Sequence, residues 1–328
     1  MNGLTVGRFA PSPTGEMHLG NVLAALLSWL SAKRQGGEWR LRIEDLDPQR
    51  SRAEYAQQIM RDLEWLGLTW DGEVLWQSQR TEVYAHYLQQ LGSFVYPCTC
   101  TRNEILAAQA PHESDGRIVY PGTCRPSERV SGLVDEWVSG LVDERVSGLV
   151  DERVSGLEGE RPAAIRLIVP DEVIMYNDRV YGQQAVNLAT HCGDFILRRS
   201  DGVFAYQLAV VVDDALSGVN EVVRGRDLLL SAAQQIYLCR LLGFDAPAYC
   251  HHPLLINGQG QRLCKRDKSL SLSAMRTTHT APQIIGMLAY YAGLIPAPEP
   301  LSPEQLLPVF DWTKIPKQDI TLNNPEQS

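Results

Sequence analysis

Residues 4–37 constrain the fold of this 328-residue chain more than any other stretch. LTVGRFA at 4–10 is a short strand running into the turn Pro11-Ser-Pro-Thr-Gly15. NVLAALLSWLSAKRQG at 21–36 is an apolar helix that stops on Gly36-Gly37. WRLRIEDLD at 39–47 supplies a second strand and AEYAQQIMRDLEWLGL at 53–68 a second, amphipathic helix. Strand, helix, strand, helix in that order predicts a parallel sheet of the α/β class. The pattern returns at 203–213 (VFAYQLAVVVD) and 228–242 (LLLSAAQQIYLCRLL), so the fold is expected in two halves.

Composition narrows the class. With 44% hydrophobic and 21% charged residues the chain has enough apolar material for a buried core, in one large or two modest domains. No apolar run approaches the ~18 residues of a membrane span, and MNGLTVGRFAPSPTG lacks the basic-then-apolar pattern of a signal peptide. A cytoplasmic protein is expected. Seven cysteines, an odd number, do not suggest a disulfide framework; reduced thiols, some of them metal ligands, are expected instead. A net charge of -9 argues against general nucleic-acid binding but leaves room for a local basic stripe. Arg198-Arg199, Arg224 with Arg226, and Lys265-Arg266 with Lys268 are candidates, or else ordinary solvated charges.

Something separate interrupts the two halves. Cys98, Cys100 and Cys124 fall within 96–126, a stretch containing Pro and Gly. A tandem octad follows, VSGLVDEW, VSGLVDER, VSGLVDER and VSGLEGER, spanning Val130 to Arg161. A period of eight drifts by about 80° per repeat on a helix, and each copy carries Gly. Nothing in it suggests chemistry, and a surface insertion is expected.

Three constellations point to chemistry. Arg8 to Asn21, RFAPSPTGEMHLGN, joins a strand end and tight turn to a helix amino terminus, where backbone N–H groups and the helix dipole suit phosphate. Gly15 and Gly20 permit close approach of a ligand, and His18 can donate to phosphate oxygens. Glu44 ends the second strand, on the edge where α/β sheets bind ligands; it is otherwise a solvated carboxylate or a helix cap. In the second half, VFAYQLAVVVDD at 203–214 leads to Val219-Asn-Glu-Val-Val-Arg224-Gly-Arg226, and Gly258-Gln-Gly-Gln-Arg262-Leu-Cys264-Lys265-Arg266 is a glycine-rich loop of cations. Such a loop can stabilise charge on departing pyrophosphate.

The first constellation closely resembles the signature of class I glutamyl-tRNA synthetases, with His18-Leu-Gly20-Asn21 in the position of the HIGH tetrapeptide. The resemblance implies a Rossmann-type parallel sheet and covers nearly the whole chain except the octads. It implies that Arg8, Phe9, Ala10, Pro11 and Ser12 contact the amino acid, and that His18, Gly20 and Asn21 lie against ATP, which is used with Mg2+. Glu44 would take the α-ammonium group, while Tyr206 and Arg224 occupy positions that recognise glutamate. Arg262, Leu263, Cys264, Lys265 and Arg266 resemble the KMSKS loop, with Lys265 in place of its second, ATP-contacting lysine. Two positions depart from it: Arg262 keeps the charge of the first lysine, while Cys264 replaces the serine with a weak thiol donor. Asp267-Lys-Ser offers a second register through Lys268.

Cys98, Cys100 and Cys124 lack one ligand for a tetrahedral structural zinc. By chemistry alone His112 is the better fourth ligand, since imidazole is far commoner on zinc than phenolate. Tyr120 is the choice by resemblance, because tRNA-modifying relatives carry the same Cys-x-Cys and Tyr-x-x-x-Cys order. The implied domains are 1–95 and 171–258 for the halves of the nucleotide-binding fold, 96–170 for the zinc-binding insertion, and 259–328 for the basic loop and a short helical region. Only about 60 residues follow Lys265, so no anticodon-binding domain is expected.

That length resembles the branch of the family that activates glutamate without tRNA and transfers it to queuosine at the wobble position of tRNA(Asp). A monomer is expected, with ATP, L-glutamate and queuosine-containing tRNA(Asp) as partners. Two alternatives stay open: a minimal synthetase charging the 3′ end of tRNA(Glu), and a non-catalytic paralogue that binds tRNA or glutamate. Arg8, His18, Glu44 and Lys265 favour catalysis; Cys264 favours the last.

Overall fold

The computed structural model describes residues 3–109, 119–127, 162–260 and 270–322. The octads, His112, and Arg262 to Lys268 lie outside the described residues. Strand β1 (Val6–Phe9) pairs in parallel with β2 (Glu38–Ile43), and β2 with β3 (Leu75–Trp76). Between β1 and β2 the chain forms helix α1 (Leu19–Arg34), and after β2 it forms α2 (Ala53–Trp65). In the second half β9 (Glu221–Gly225) pairs in parallel with β10 (Ala248–His252), which pairs in parallel with β6 (Val173–Asp178). An antiparallel partner, β7 (Gly182–Asn187), closes that edge.

The halves meet at β1 and β9. Asn220 stitches them: its N–H donates to Val6 O at 3.0 Å and its Oδ1 accepts from Val6 N at 2.9 Å. The carboxyl ends of β1 and β9 therefore open onto one crevice, the usual ligand position in such sheets. A third, antiparallel sheet of β4 (Val95–Cys98), β5 (Ala164–Leu167) and β8 (Phe195–Arg198) carries the first cysteine.

Helix α1 has no polar stripe because almost every face is covered. Leu19, Val22, Leu23, Leu26, Leu27 and Leu30 are buried in a core shared with Ile284, Leu288 and Leu306 of the carboxyl-terminal helices. Its far end is also tied down. Ser31 donates to the buried Glu221 at 2.5 Å, the Trp312 indole donates to Ser31 at 3.0 Å, and Arg34 reaches the carbonyls of Leu307 and Pro308.

The segment 203–213, open to a strand or a helix reading, forms the helix Tyr206–Leu216, and the strand of that unit is β9. Its apolar run is buried between the helices Thr81–Gln90 and Leu229–Leu242, and a short run apolar on every face does not distinguish strand from helix. No helix among the described residues is long and apolar enough to cross a membrane.

The turn from α1 to β2 needs both glycines. Gly36 adopts φ +66°, and a Cβ on Gly37 would lie 2.2 Å from Thr5 O and 3.0 Å from Ala32 O. Gly37→Ala is expected to lower stability by about 1–3 kcal/mol, measured as a shift of the urea midpoint. An unchanged midpoint would mean that the β1–β2 edge yields at no cost.

Candidate active site

Helix α1 begins with His18 as its cap. The ring Nδ1 accepts from Gly20 N at 3.1 Å, and Asn21 Oδ1 accepts from His18 N at 3.2 Å. A neutral ring whose Nδ1 accepts must carry its proton on Nε2, which makes Nε2–H the donor. Gly20 has a second reason to be glycine: a Cβ there would lie 3.0 Å from the imidazole. The sequence suggested that this end offers its backbone N–H groups to a ligand. The Gly20 N–H is in fact taken by His18, because the ring folds back on its own helix.

Behind this turn lies a lattice of three cations and three anions. Arg42 of β2 donates to Asp214 at 2.5 Å and to Glu44 at 3.3 Å, and stands 3.9 Å from Asp213. Arg8 of β1 is 3.5 Å from Asp214 and donates to Val223 O at 3.2 Å. Asp213, fully buried, accepts from Arg80, Gln77 and Tyr84. Burial works against both nearby carboxylates, with opposite outcomes. At Asp214 the charges of Arg42 and Arg8 outweigh it and hold the pKa below the usual range. At Glu44 burial wins over Arg42 and Arg8, and the pKa is raised.

Arg224 of β9 faces the same space. Its Nε donates to His251 Nε2 at 3.0 Å, Nη1 to Gln235 at 2.8 Å and to the Tyr206 hydroxyl at 3.3 Å, and Nη2 to Leu228 O at 3.3 Å. Because Tyr206 accepts from Arg224, its own O–H points elsewhere. A cavity of about 450 Å³ gathers Arg8, Phe9, Ala10, Pro11, Ser12, His18, Asn21, Glu44, Tyr206 and Arg224 on its wall. Gly20 lies beneath His18. Sequence positions more than 200 apart thus share one space.

Arg262, Leu263, Cys264, Lys265 and Arg266 lie outside the described residues, but the chain after them returns to His18. Ser271 forms a backbone bridge with His18, Leu272 N donates to Met17 O at 2.8 Å, and Ser273 donates to Glu16 at 2.5 Å. Arg276 holds Asp62 of α2 at 2.6 Å.

The thiols of Cys98, Cys100 and Cys124 lie within 4.8 Å of one another. The Tyr120 hydroxyl is 3.4 Å from Cys98 Sγ and 3.7 Å from Cys100 Sγ. Tetrahedral zinc with Zn–S bonds of about 2.3 Å puts its sulfurs ~3.8 Å apart, so the donor set has the right size for one ion. Burial disfavours the Cys124 thiolate, but hydrogen bonds from Thr99 N and from Cys100 outweigh it and bring the pKa down to about 7. None of the described cysteines forms a disulfide.

Of the arginines named as candidates for a basic stripe, the described ones are paired or turned inward. Arg224 is only 5% exposed and turned inward, Arg199 is paired with Asp47 and Asp201, and Arg226 with Asp319. Arg198 is part-buried against Phe204 and Gly202 O. Each of these four arginines has an acceptor within the fold.

Residues 5–290 match the family described as tRNA synthetases class I (E and Q), catalytic domain. A glutamyl-Q tRNA(Asp) synthetase of Symbiobacterium thermophilum is 43% identical over 334 residues, which cover 96% of this chain and 95% of that protein. The chain belongs to the glutamyl-Q tRNA(Asp) synthetase family. A glutamyl-Q tRNA(Asp) synthetase of Nitratidesulfovibrio vulgaris is 45% identical, covering 96% of this chain and 94% of its own. Among solved structures, a glutamate-tRNA synthetase from Elizabethkingia anophelis aligns at 28% identity with a TM-score of 0.77, over 99% of this chain and 69% of that one. A glutamate tRNA ligase from Elizabethkingia meningosepticum, in complex with its amino acid, gives 29% and 0.76, over 97% and 66%. Family membership and these likenesses agree with the class I α/β catalytic fold.

Sequence reasoning missed several residues packed behind the wall of this cavity. Arg42, Gln235, Asp178 and His251 carry no motif of their own; only the adjacent acids Asp213-Asp214 had drawn notice. The raised pKa of Glu44 makes a testable statement. The folded protein binds that proton more tightly than the unfolded chain, so stability falls as pH rises from the unfolded value of ~4.3 through the folded one. Glu44→Gln is expected to flatten that part of the pH–stability curve, followed by urea titrations from about pH 4 to 8. A slope unchanged by the substitution would assign the proton to another group.

Proposed function

We propose that this chain activates L-glutamate with ATP and Mg2+ as glutamyl-adenylate without tRNA, and then transfers glutamate to queuosine at the wobble position of tRNA(Asp). The observation that carries this reading is the polarity of this cavity. Arg224 and the Tyr206 hydroxyl offer donors, Arg8 and Glu44 offer a cation and a carboxylate on the same wall, and His18 stands at a helix amino terminus. Glutamate has the complementary set: a side-chain carboxylate, an ammonium group and an α-carboxylate.

In this reading Arg224 and Tyr206 hold the side-chain carboxylate, and Glu44 holds the ammonium group. Arg8, with Phe9, Ala10, Pro11 and Ser12, frames the rest of the amino acid. An α-carboxylate oxygen attacks the α-phosphorus of ATP, the bond from that phosphorus to the bridging oxygen breaks, and pyrophosphate leaves. His18 Nε2–H donates to phosphate oxygens as charge grows on them, with Gly20 and Asn21 fixing the ring. Lys265 of the basic loop offsets charge on the departing pyrophosphate, and Mg2+ supplies further charge neutralisation there. A hydroxyl of the queuosine cyclopentenediol then attacks the acyl carbon, its proton is lost, and AMP departs. Cys98, Cys100, Cys124 and Tyr120 hold one structural Zn2+ away from the chemistry. The chain acts as a monomer in the cytoplasm, where ATP and tRNA meet.

ATP–pyrophosphate exchange that depends on glutamate but not on tRNA is the first test. Labelled glutamate should then attach to queuosine-containing tRNA(Asp) and not to its queuosine-free form. Labelling of tRNA(Glu) would replace the acceptor, and absence of exchange would remove the catalytic reading. His18→Ala is expected to slow exchange about 100-fold or more with fold and zinc content unchanged. Metal analysis should find one zinc per chain, lost in Cys124→Ser; retained zinc in that variant would move the metal to other ligands.

A further inference from the structure

We infer that the Asp178–His251 pair positions Arg224, fixing which of its N–H groups face the cavity. It thereby sets the affinity for the acidic side chain of the substrate. This rests on the proposed role of Arg224 at that carboxylate. His251 and Arg224 stand directly opposite each other on β10 and β9. Asp178, at the end of β6 and opposite Tyr249, reaches across to His251, and none of the three is more than 5% exposed.

The direction of every hydrogen bond in this set is determined. Asp178 Oδ1 accepts from Val180 N and Tyr181 N, and Oδ2 accepts from His251 N at 3.0 Å. As an acceptor-only group it also takes the Nδ1–H of His251, 2.6 Å away. The Nε2 of the neutral ring is then an acceptor, and it faces Arg224 Nε at 3.0 Å. Burial and Arg224 lower the imidazole pKa while Asp178 opposes them, and the balance is a lowered pKa that keeps the ring neutral.

Arg224 has five N–H donors. His251, Tyr206, Gln235 and Leu228 O take four of them. The fifth, on Nη2, and the O–H of Tyr206 are left for the cavity. Without an acceptor at Nε the planar guanidinium can turn, and the two donors lose their common aim. A residue that only tied β6 to β10 would have no effect of this kind.

The test compares two amides of similar polarity. His251→Gln keeps an acceptor at the place of Nε2; His251→Asn reaches Asp178 and offers Arg224 nothing. In glutamate-dependent exchange with the full chain, His251→Asn is expected to raise the KM for glutamate about ten-fold or more. Its kcat and KM for ATP should stay within about two-fold, and His251→Gln should restore most of the glutamate KM. Equal behaviour of the two variants, or parallel rises in the KM of ATP and glutamate, would overturn the inference. Should the Asn variant not fold, the Gln variant decides: a glutamate KM near that of the unmodified protein supports the inference, and a ten-fold rise overturns it. Arg224→Ala, run alongside, separates the two layers. If it leaves the glutamate KM unchanged, the role proposed for Arg224 has failed rather than its positioning.

Discussion

The structure depends on one buried exchange of charge between its halves. Arg8 and Arg42 come from the first two strands, and Asp213 and Asp214 from a helix more than 160 residues later. Neither set is tolerable alone, because an ion taken out of water without a partner is strongly destabilising. The pairing therefore specifies that β1 and β9 lie side by side, and the cavity at their carboxyl ends follows from that contact. Glu44 is the member left least satisfied. Asp214 takes the shorter bond to Arg42, and at Glu44, on the cavity wall, burial outweighs the arginines and raises the pKa.

Much of this was legible in the chain. The Arg8–Asn21 string specified a strand, a turn and a helix start, and ten residues assigned to a site by sequence lie on one cavity wall. Local spacing was enough for the strand, the turn and the helix start because they are consecutive, whereas Glu44, Tyr206 and Arg224 joined them only through the family resemblance. The helix at 206–216 was not legible as such, since burial on all sides erases the period that would distinguish it. Nor were the distant partners of the surface arginines, because Asp47 and Asp319 are brought to them by folding. Asp178 and His251 are a stronger case. Their significance lies in the register of three strands, which no run of neighbouring residues encodes.

The cysteine cluster follows a different logic. Its three thiols and the Tyr120 hydroxyl come from β4, the residues just after it and the short segment 119–127, beside a small core of Tyr96, Ile105 and Ile168. In a core this small, an ion held by those donors would contribute to folding directly. The nearby Gly193, at φ +64°, lies so close to Tyr120 that a Cβ would come within 2.4 Å of its carbonyl oxygen.

Helix α1 can be viewed as a lever. Its sixteen residues make a rod of about 24 Å with His18 at one tip, and its opposite tip is gripped by Trp312 and by the Leu307 and Pro308 carbonyls. A tilt of one degree about that grip would swing His18 by roughly 0.4 Å, a sizeable fraction of the tolerance of a phosphate contact. The aim of the imidazole is thus set partly from a region that never touches the cavity.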